Sequence, residues 1–186
     1  MSTARRLVNI ALIGFMGTGK TSVGRLIAGQ LYFELVDTDE LIEKRAGKPI
    51  SRIFAEDGEP AFREIEQQLV TETTTWRHKV ISTGGGLGAN EANLASLKQH
   101  ALVVCLWATP ESIWQRVKSQ THRPLLLQDP DPLGRIRTLL AERTPIYRQA
   151  DVLMNTEMRS VRDVAQQVLH QFHLARHRGP DREKAH

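Results

Sequence analysis

Short apolar runs alternate along this chain with longer segments in which apolar residues recur every three or four positions. Runs of the first kind are typical of buried β-strands, and the longer period is typical of helices that turn one face to a core. The predicted strands are Val8–Ile13, Phe33–Val36, Val80–Thr83, Ala101–Leu106 and Ala150–Met154. The predicted helices are Thr21–Leu31, Glu40–Ala46, Ile50–Phe54, Pro60–Thr74, Asn90–Gln99, one that opens at Thr109 and fades by Thr121, Leu133–Gln149 and Ser160–Leu174.

Strands that alternate with helices predict an α/β fold, in which a five-stranded parallel sheet is covered by helices on both faces. We expect a single domain at residues 1–175, because 186 residues with 40% hydrophobic content can bury one sizeable core. Residues 176–186 are almost wholly polar and lack periodicity, so we expect a disordered tail there. No apolar run approaches the length of a membrane span, and we expect no membrane association.

The formal charge of +4 comes largely from arginine, which raises the question of nucleic-acid binding. Aromatic residues make up only 5% of the chain and no basic block contains them, so anionic small substrates explain the charge as well. The only cysteine, Cys105, lies in a predicted strand, which excludes a disulfide within the chain and favours a cytoplasmic location. We expect its thiol to pack in the core rather than react.

The segment Gly14–Thr21 fits the phosphate-loop pattern G-x-x-x-x-G-K-[ST] at each of its fixed positions. It follows a predicted strand and precedes a predicted helix, which is the setting that this motif requires. The glycines let main-chain N–H groups and the helix N-terminus point at phosphate oxygens. Lys20 then reaches the β- and γ-phosphates, and the Thr21 hydroxyl is a ligand for Mg²⁺. The motif predicts binding of a nucleoside triphosphate.

Two carboxylates, Asp37 and Asp39, follow the second predicted strand. In open α/β sheets the carboxyl edge is where ligands bind, so this pair is expected to face the same crevice as the phosphate loop. The alternative is that Asp37 only caps the helix that follows. Spacing alone leaves both open, and the neighbouring phosphate loop favours catalysis, with one carboxylate toward a metal and the other toward an acceptor hydroxyl.

Gly84, Gly85 and Gly86 follow the third predicted strand and indicate a place where a ligand lies against main-chain N–H groups. Many phosphate-loop ATPases carry an acidic metal ligand at this position, where this chain has only Ser82 and Thr83, so Asp37 must supply the acidic metal contact. Arg63 lies beside Glu64 and Glu66 in a predicted helix, and its spacing favours a plain intrahelical ion pair.

Residues 119–132 are rich in proline and long enough to form a mobile lid that would carry Arg123. A cation on a closing lid can offset charge on the transferring phosphoryl group, and the alternative is a solvated loop arginine. His170, His173 and His177 share a helical spacing, but no cysteine or adjacent acid completes a metal site, so we expect a solvated face.

In their order along the chain these segments resemble the shikimate kinases, from about Val8 to Leu174. The resemblance rests on Gly14–Thr21, on Val36–Asp39 with Ile42–Gly47, on Ile53–Glu59 with Phe62 and Arg63, on Gly84–Gly86 and on Arg123–Leu126. It implies transfer of the γ-phosphoryl group of ATP to the 3-hydroxyl of shikimate, giving shikimate 3-phosphate and ADP, within chorismate and aromatic amino acid biosynthesis. The implied fold is the three-layer phosphate-loop kinase fold of the nucleoside monophosphate kinases, with a substrate-binding segment at about 37–66.

The resemblance also implies roles for individual residues. Lys20, Asp39 and Arg123 resemble the catalytic group, and Thr21 and Asp37 the Mg²⁺ contacts. The implied ATP-binding residues are Gly14, Met16, Gly17, Thr18, Gly19, Lys20, Thr21, Ser22, Arg123 and Arg159. The implied shikimate-binding residues are Asp39, Arg63, Gly84, Gly85, Gly86 and Arg143, with the two arginines on the carboxylate. Residues Met154–Glu157 depart from the acidic pattern of the family, which bears on the adenine contacts.

The implied carboxylate role of Arg63 replaces the ion pair that its spacing favours, because a guanidinium fork suits a carboxylated polyol. Two alternatives remain at this point. Another small-molecule kinase of the same fold, such as a gluconate-type kinase, fits the triple glycine and the paired arginines less well. A catalytically silent relative that serves as a binding module is disfavoured by the intact Lys20, Thr21, Asp37 and Asp39. We expect a monomer.

Overall fold

The computed structural model describes residues 5–118 and 129–177 of the chain. Its strands are β1 (Asn9–Ile13), β2 (Glu34–Asp37), β3 (Lys79–Ser82), β4 (Ala101–Trp107) and β5 (Val152–Asn155). Its helices are α1 (Lys20–Leu31), α2 (Thr38–Ala46), α3 (Ile50–Glu56), α4 (Gly58–Thr73), α5 (Glu91–Lys98), α6 (Pro110–Val117), α7 (Pro132–Tyr147) and α8 (Val161–His177), with a 3₁₀ turn at Leu87–Ala89. The predicted strands and helices are present, with ends that differ by a few residues.

The strands form one parallel sheet in the order β2-β3-β1-β4-β5, which confirms the predicted fold class. The register aligns the carboxyl ends of its first three strands, since Ser82 lies opposite Asp37 on one side and Leu12 on the other. The segments that follow β1, β2 and β3 therefore leave the sheet side by side. The phosphate loop, the Asp37–Asp39 segment and the triple glycine are these three segments.

Alternate residues of the central strand face opposite layers of helices. Ile10 and Leu12 pack in the cluster that contains α1 and α8, whereas Ala11 and Ile13 pack with α4, α5 and α7. This period of two produces a helix, sheet, helix sandwich, because each strand face is covered. Cys105 lies in the second cluster, and burial raises the pKa of its thiol to about 12, as expected for a packing residue.

Two helix ends differ from the sequence prediction for identifiable reasons. Helix α2 begins at Thr38 because the Asp37 side chain accepts a hydrogen bond from the Asp39 N–H and so caps it. Helix α8 continues to His177, and its Arg176 guanidinium lies 5.5 Å from the centre of the Phe172 ring. The segment predicted as a tail thus begins inside a helix, and residues 178–186 lie outside the described part of the chain.

No helix in the described ranges is both long and apolar enough to pass through a membrane. His170, His173 and His177 are exposed on α8, as expected for a solvated face.

Candidate active site

The phosphate loop takes the shape that its glycines allow. Gly14, Gly17 and Gly19 have φ angles of 130°, 75° and 92°, in a region that side chains rarely adopt. A Cβ atom at Gly14 would lie 2.1 Å from the main-chain oxygen of Leu106, so this position also excludes a side chain by contact. Gly19 precedes α1, no side chain caps this helix start, and the N-terminus of a helix favours an anion.

Lys20 is buried, with an exposed fraction of 8%. Its Nζ donates hydrogen bonds of 2.9 Å to the main-chain oxygens of Gly14 and Phe15. The Thr18 hydroxyl donates to the same Phe15 oxygen at 2.8 Å. The ammonium group is therefore held at the base of the loop, where a phosphate chain in the loop would meet it.

Three oxygen-bearing side chains meet at the start of α1. The Thr21 hydroxyl donates to Asp37 Oδ2 at 2.9 Å, and the Ser82 hydroxyl donates to the same oxygen at 3.1 Å. The two hydroxyl oxygens are 3.2 Å apart. These are hard oxygen donors of the kind that Mg²⁺ prefers, and one carboxylate with a hydroxyl fits an ion that takes its other ligands from water and phosphate.

Asp37 both caps α2 and lines the cleft, so the cap and the position expected for a cleft carboxylate occur together. Its Oδ1 accepts the Asp39 N–H at 3.1 Å and caps α2, whereas its Oδ2 faces Thr21 and Ser82. Capping and a place in the cleft therefore do not exclude each other, because each uses a different oxygen.

Asp39 is the second residue of α2 and lines the cleft with Lys20. Its carboxylate is packed against Gly84, where a Cβ atom would lie 2.1 Å from Oδ1. The Gly84 N–H donates to the Thr38 hydroxyl at 2.9 Å. The absence of a side chain at Gly84 thus makes room for the Asp39 carboxylate.

Arg63 reaches the same triple glycine from α4. A Cβ atom at Gly86 would lie 2.3 Å from its Nη1. This Nη1 donates to Glu66 at 2.6 Å, and Nη2 donates to Glu59 at 2.8 Å. The ion pair that spacing favoured is present, and its guanidinium lies against the last glycine of the triple glycine. Burial raises the pKa of the Glu66 carboxyl, which is 2% exposed, and the hydrogen bond from Arg63 opposes that rise.

Arg143 comes from α7 and approaches the middle glycine. Its Nη1 donates to the Gly85 oxygen at 3.3 Å, and its guanidinium carbon lies 5.3 Å from the centre of the Phe15 ring. A Cβ atom at Gly85 would lie 3.4 Å from Arg143 Nη1 and 3.7 Å from the main-chain nitrogen of Met16. Gly85 therefore stands between the phosphate loop and α7.

The cleft that these elements enclose has a volume of about 450 Å³. Its lining contains Met16, Gly17, Gly19, Lys20, Thr21, Ser22, Asp37, Asp39, Ser82, Thr83, Gly84, Gly85 and Arg116. Gly14 and Thr18 belong to the phosphate loop but are not part of this lining. Arg63 and Arg143 contact its glycine wall, as described above.

Two arginines expected at the site are not described there. Arg159 is exposed before α8, where its Nη1 donates to Gln167 at 2.5 Å, and it is not part of the cleft lining. Arg123 lies outside the described residues, as does most of the predicted lid.

Sequence reasoning missed Arg116, which lines the cleft from α6. Its guanidinium donates to the Gly17 oxygen at 3.3 Å and to both oxygens of Thr156, at 2.9 and 2.8 Å. Glu157 follows Thr156, and its carboxylate accepts hydrogen bonds from Ser112 and Thr109 at the start of α6. These hydrogen bonds lower the pKa of Glu157 to about 2. No local pattern marks Arg116, since its contacts come from segments far along the chain.

Ser82 and Tyr147 were also missed, although a signal existed for each. Ser82 ends a predicted strand at the ligand-binding edge. Tyr147 follows Arg143 by one helical turn, and its hydroxyl donates to the Gly85 oxygen at 2.7 Å. Among the described residues, His, Cys, Asp and Glu side chains form no group of three or more that could hold a metal by themselves.

A model of the shikimate kinase family matches residues 16–173. The shikimate kinase of Thermodesulfovibrio yellowstonii is 44% identical over 164 residues, which are 88% of this chain and 94% of that protein. The shikimate kinase of Symbiobacterium thermophilum is 42% identical over 174 residues, which are 92% of this chain and 100% of that protein.

Solved structures agree with this comparison. A shikimate kinase from Acinetobacter baumannii in complex with shikimate superposes with a TM-score of 0.84 and 39% identity, over 90% of this chain and 94% of that one. A gluconokinase from Sinorhizobium meliloti gives a TM-score of 0.58 and 18% identity, over 93% of this chain and 96% of that one. The second likeness extends to the fold alone.

Proposed function

The chain belongs to the shikimate kinase family, and we propose that its cleft transfers the γ-phosphoryl group of ATP to the 3-hydroxyl of shikimate. The single observation that carries this proposal within the molecule is the meeting of two sites at the triple glycine. The phosphate loop lies on one side of Gly85, and Asp39, Arg63 and Arg143 contact Gly84, Gly86 and Gly85 in that order. A donor and an acceptor bound at these sites are neighbours.

For the nucleotide, we propose that the loop N–H groups and Lys20 hold the β- and γ-phosphates, while Arg116 forms the cleft wall beside Gly17. The proposed ATP-binding set is Gly14, Met16, Gly17, Thr18, Gly19, Lys20, Thr21 and Ser22, with Arg123 from the lid and Arg159. Arg159 is the weakest member, because its guanidinium is engaged by Gln167.

Mg²⁺ would be held by the Thr21 hydroxyl and Asp37 Oδ2, with Ser82 hydrogen-bonded to the same carboxylate oxygen. When bound, such an ion neutralises charge on the β- and γ-phosphate oxygens. Asp37 keeps its other oxygen on the start of α2, so the carboxylate is held in place from two directions.

For shikimate, we propose that Arg63 and Arg143 bind the carboxylate and Asp39 the ring hydroxyls. The two outer nitrogens of Arg63 have carboxylate partners that differ in burial. Nη1 pairs with Glu66, whose side chain is 2% exposed, and Nη2 pairs with Glu59, whose side chain is 62% exposed. An exposed ion pair contributes little, so the Glu59 contact is the one that a substrate carboxylate replaces. Glu66 remains as the buried counter-ion that orients the guanidinium.

The chemical step needs position and charge neutralisation more than covalent help. Asp39 accepts a hydrogen bond from the acceptor hydroxyl and aims its oxygen at the γ-phosphorus. The acceptor oxygen forms its bond to the γ-phosphorus as the bond to the leaving ADP oxygen breaks, and Lys20 and Arg123 offset the negative charge. The hydroxyl proton leaves the acceptor oxygen toward the Asp39 carboxylate.

The direct test is ADP release by the purified chain with ATP and Mg²⁺, measured separately with shikimate, gluconate and nucleoside monophosphates. We expect turnover with shikimate alone. Turnover with gluconate instead would assign the cleft to another kinase of this fold, and no turnover with any acceptor would favour a silent relative. Lys20→Met serves as the inactive control, since it removes the ammonium group from the loop.

We further propose a cytoplasmic monomer in which the segment at about 37–66 binds the acceptor and the segment at about 119–132 closes over the nucleotide. The described residues of one chain supply both sides of the cleft, so a second copy is not required for its geometry. Gel filtration at the assay concentration tests the monomer, and an elution volume of a dimer contradicts it.

A further inference from the structure

The carbonyl group of Gly85 receives two hydrogen bonds from one helix. Tyr147 at the end of α7 donates its hydroxyl at 2.7 Å, and Arg143, one turn earlier, donates from Nη1 at 3.3 Å. The tyrosine bond is the shorter, and the arginine bond is near the upper limit of useful length. The hydroxyl of Tyr147 is therefore the main partner of this carbonyl.

Tyr147 is a buried residue, 5% exposed, in the core beside the cleft. Burial raises the pKa of its hydroxyl to about 12, and the neighbouring Arg143 opposes part of that rise. The hydroxyl stays protonated at neutral pH, so it is a permanent donor. Its position is set by the packing of the ring and does not depend on a ligand.

A fixed Gly85 carbonyl also fixes the next N–H group. In a planar trans peptide the C=O of one residue and the N–H of the following residue point in opposite directions. The Gly86 N–H must therefore point away from Tyr147. On the other side of the turn, Thr38 accepts the Gly84 N–H at 2.9 Å. Two hydroxyl groups thus hold a segment of three glycines, the residue type with the largest conformational freedom.

The remaining N–H groups of this turn are available to a ligand. Within residues 5–118 and 129–177, the N–H groups of Gly85 and Gly86 make no hydrogen bond. Gly85 lines the cleft and lies beside Met16 of the phosphate loop. A donor at this place lies where acceptor and phosphoryl group meet.

We propose that Tyr147 is a positioning residue for the acceptor, because its hydroxyl, together with that of Thr38, holds the Gly84–Gly86 turn with the N–H groups of Gly85 and Gly86 presented to bound shikimate. This inference rests on the proposed function. Tyr147 itself acts through Gly85 and has no contact with the substrate in this arrangement.

Tyr147→Phe tests the proposal, because it removes one oxygen and leaves the ring in place. We expect the KM for shikimate to rise about tenfold, the loss that corresponds to one buried hydrogen bond, while the KM for ATP changes less than about twofold. Amide hydrogen exchange in the peptide that contains Gly84–Gly86 should become faster. Thr38→Val should act in the same direction, and Thr38→Ser, which keeps the hydroxyl, should not.

Thr73→Val is the matched control. Thr73 also carries a buried hydroxyl that donates to a main-chain oxygen, that of Val70, but it stands next to His100 at the other end of α4. Its loss should lower thermal stability without a selective effect on shikimate. An unchanged shikimate KM in Tyr147→Phe, or an equal rise for both substrates, would overturn the proposal. The unaltered chain is assayed in parallel, and its failure to release ADP with shikimate would instead remove the proposed function.

Discussion

Gly84→Ala is the substitution for which the structure makes the sharpest prediction. The added Cβ would lie 2.1 Å from Asp39 Oδ1 and 3.0 Å from its Cγ. Ordinary contact begins at 3.4 Å, so the carboxylate must retreat by roughly 1 Å. Gly84 does not have a left-handed φ, and alanine can adopt its backbone without strain. The substitution therefore moves a functional group rather than the chain.

A displacement of this size should reduce turnover far more than stability. A positioning group that is misplaced by about 1 Å costs about 100-fold in rate. We expect kcat for shikimate-dependent ADP release to fall by about that factor, with the thermal midpoint within a few degrees of the original. Binding of ATP, measured by calorimetry without acceptor, should be unchanged, because neither Gly84 nor Asp39 belongs to the proposed ATP-binding set.

Gly29→Ala makes the same chemical change where it meets no obstacle. Gly29 lies in α1, and a Cβ there has nothing within 4 Å. We expect normal turnover and a small gain in stability of up to about 1 kcal/mol from helix propensity. Adding Gly84→Ala to Asp39→Ala completes a double-mutant cycle, in which the second change should cost little if it acts through Asp39.

Two results would refute this reasoning. Turnover of Gly84→Ala above half the original would mean that the Asp39 position is not critical. A full additional loss in the Asp39→Ala background would mean that the glycine acts through its own N–H or backbone rather than through the carboxylate.

Three further predictions concern Asp39, Arg63 and His100. Asp39→Asn should keep ATP affinity and lose most turnover, because the acceptor hydroxyl loses its orienting carboxylate. Weaker ATP binding with normal turnover would contradict this prediction. The control is Glu40→Gln, which changes the exposed neighbouring residue. Arg63→Lys should raise the KM for shikimate far more than the KM for ATP, since lysine lacks the guanidinium fork that can hold Glu66 and a substrate carboxylate together. An equal rise of both KM values would argue against the carboxylate role. Burial, and to a smaller extent the positive charge of Arg77, lowers the pKa of His100. The ring nitrogens of His100 are hydrogen-bonded to the side chains of Asn9 and Thr73. The folded state is therefore more stable when the ring is neutral. That stability is present above the ordinary pKa of 6.5 and is lost as pH falls below it, because the unfolded chain takes up the proton first. Denaturant unfolding at pH values from 8 down to about 5 should show this slope, and a His100→Gln variant should show a smaller one; equal slopes would assign the acid sensitivity to other groups.

Local sequence was sufficient wherever the backbone itself carries the chemistry. The phosphate loop follows from glycines at Gly14, Gly17 and Gly19, because left-handed φ angles and close approach to Leu106 admit no other residue. The apolar runs were sufficient for the sheet, since strands that are buried on both faces are predominantly apolar. The family resemblance then identified Arg143, which no periodicity indicated.

Only the tertiary structure decided which way the long side chains point. A local pattern placed Arg63 beside Glu66, but its position against Gly86 depends on how α4 packs beside the end of β3. Arg116 was passed over because its partner Thr156 lies far away in sequence. Tyr147 follows Arg143 by one helical turn, but its hydrogen bond to Gly85 depends on how α7 packs. Hydrogen bonds between distant segments exist only after the parallel strands bring their carboxyl ends together, and the sequence of one segment does not contain that information.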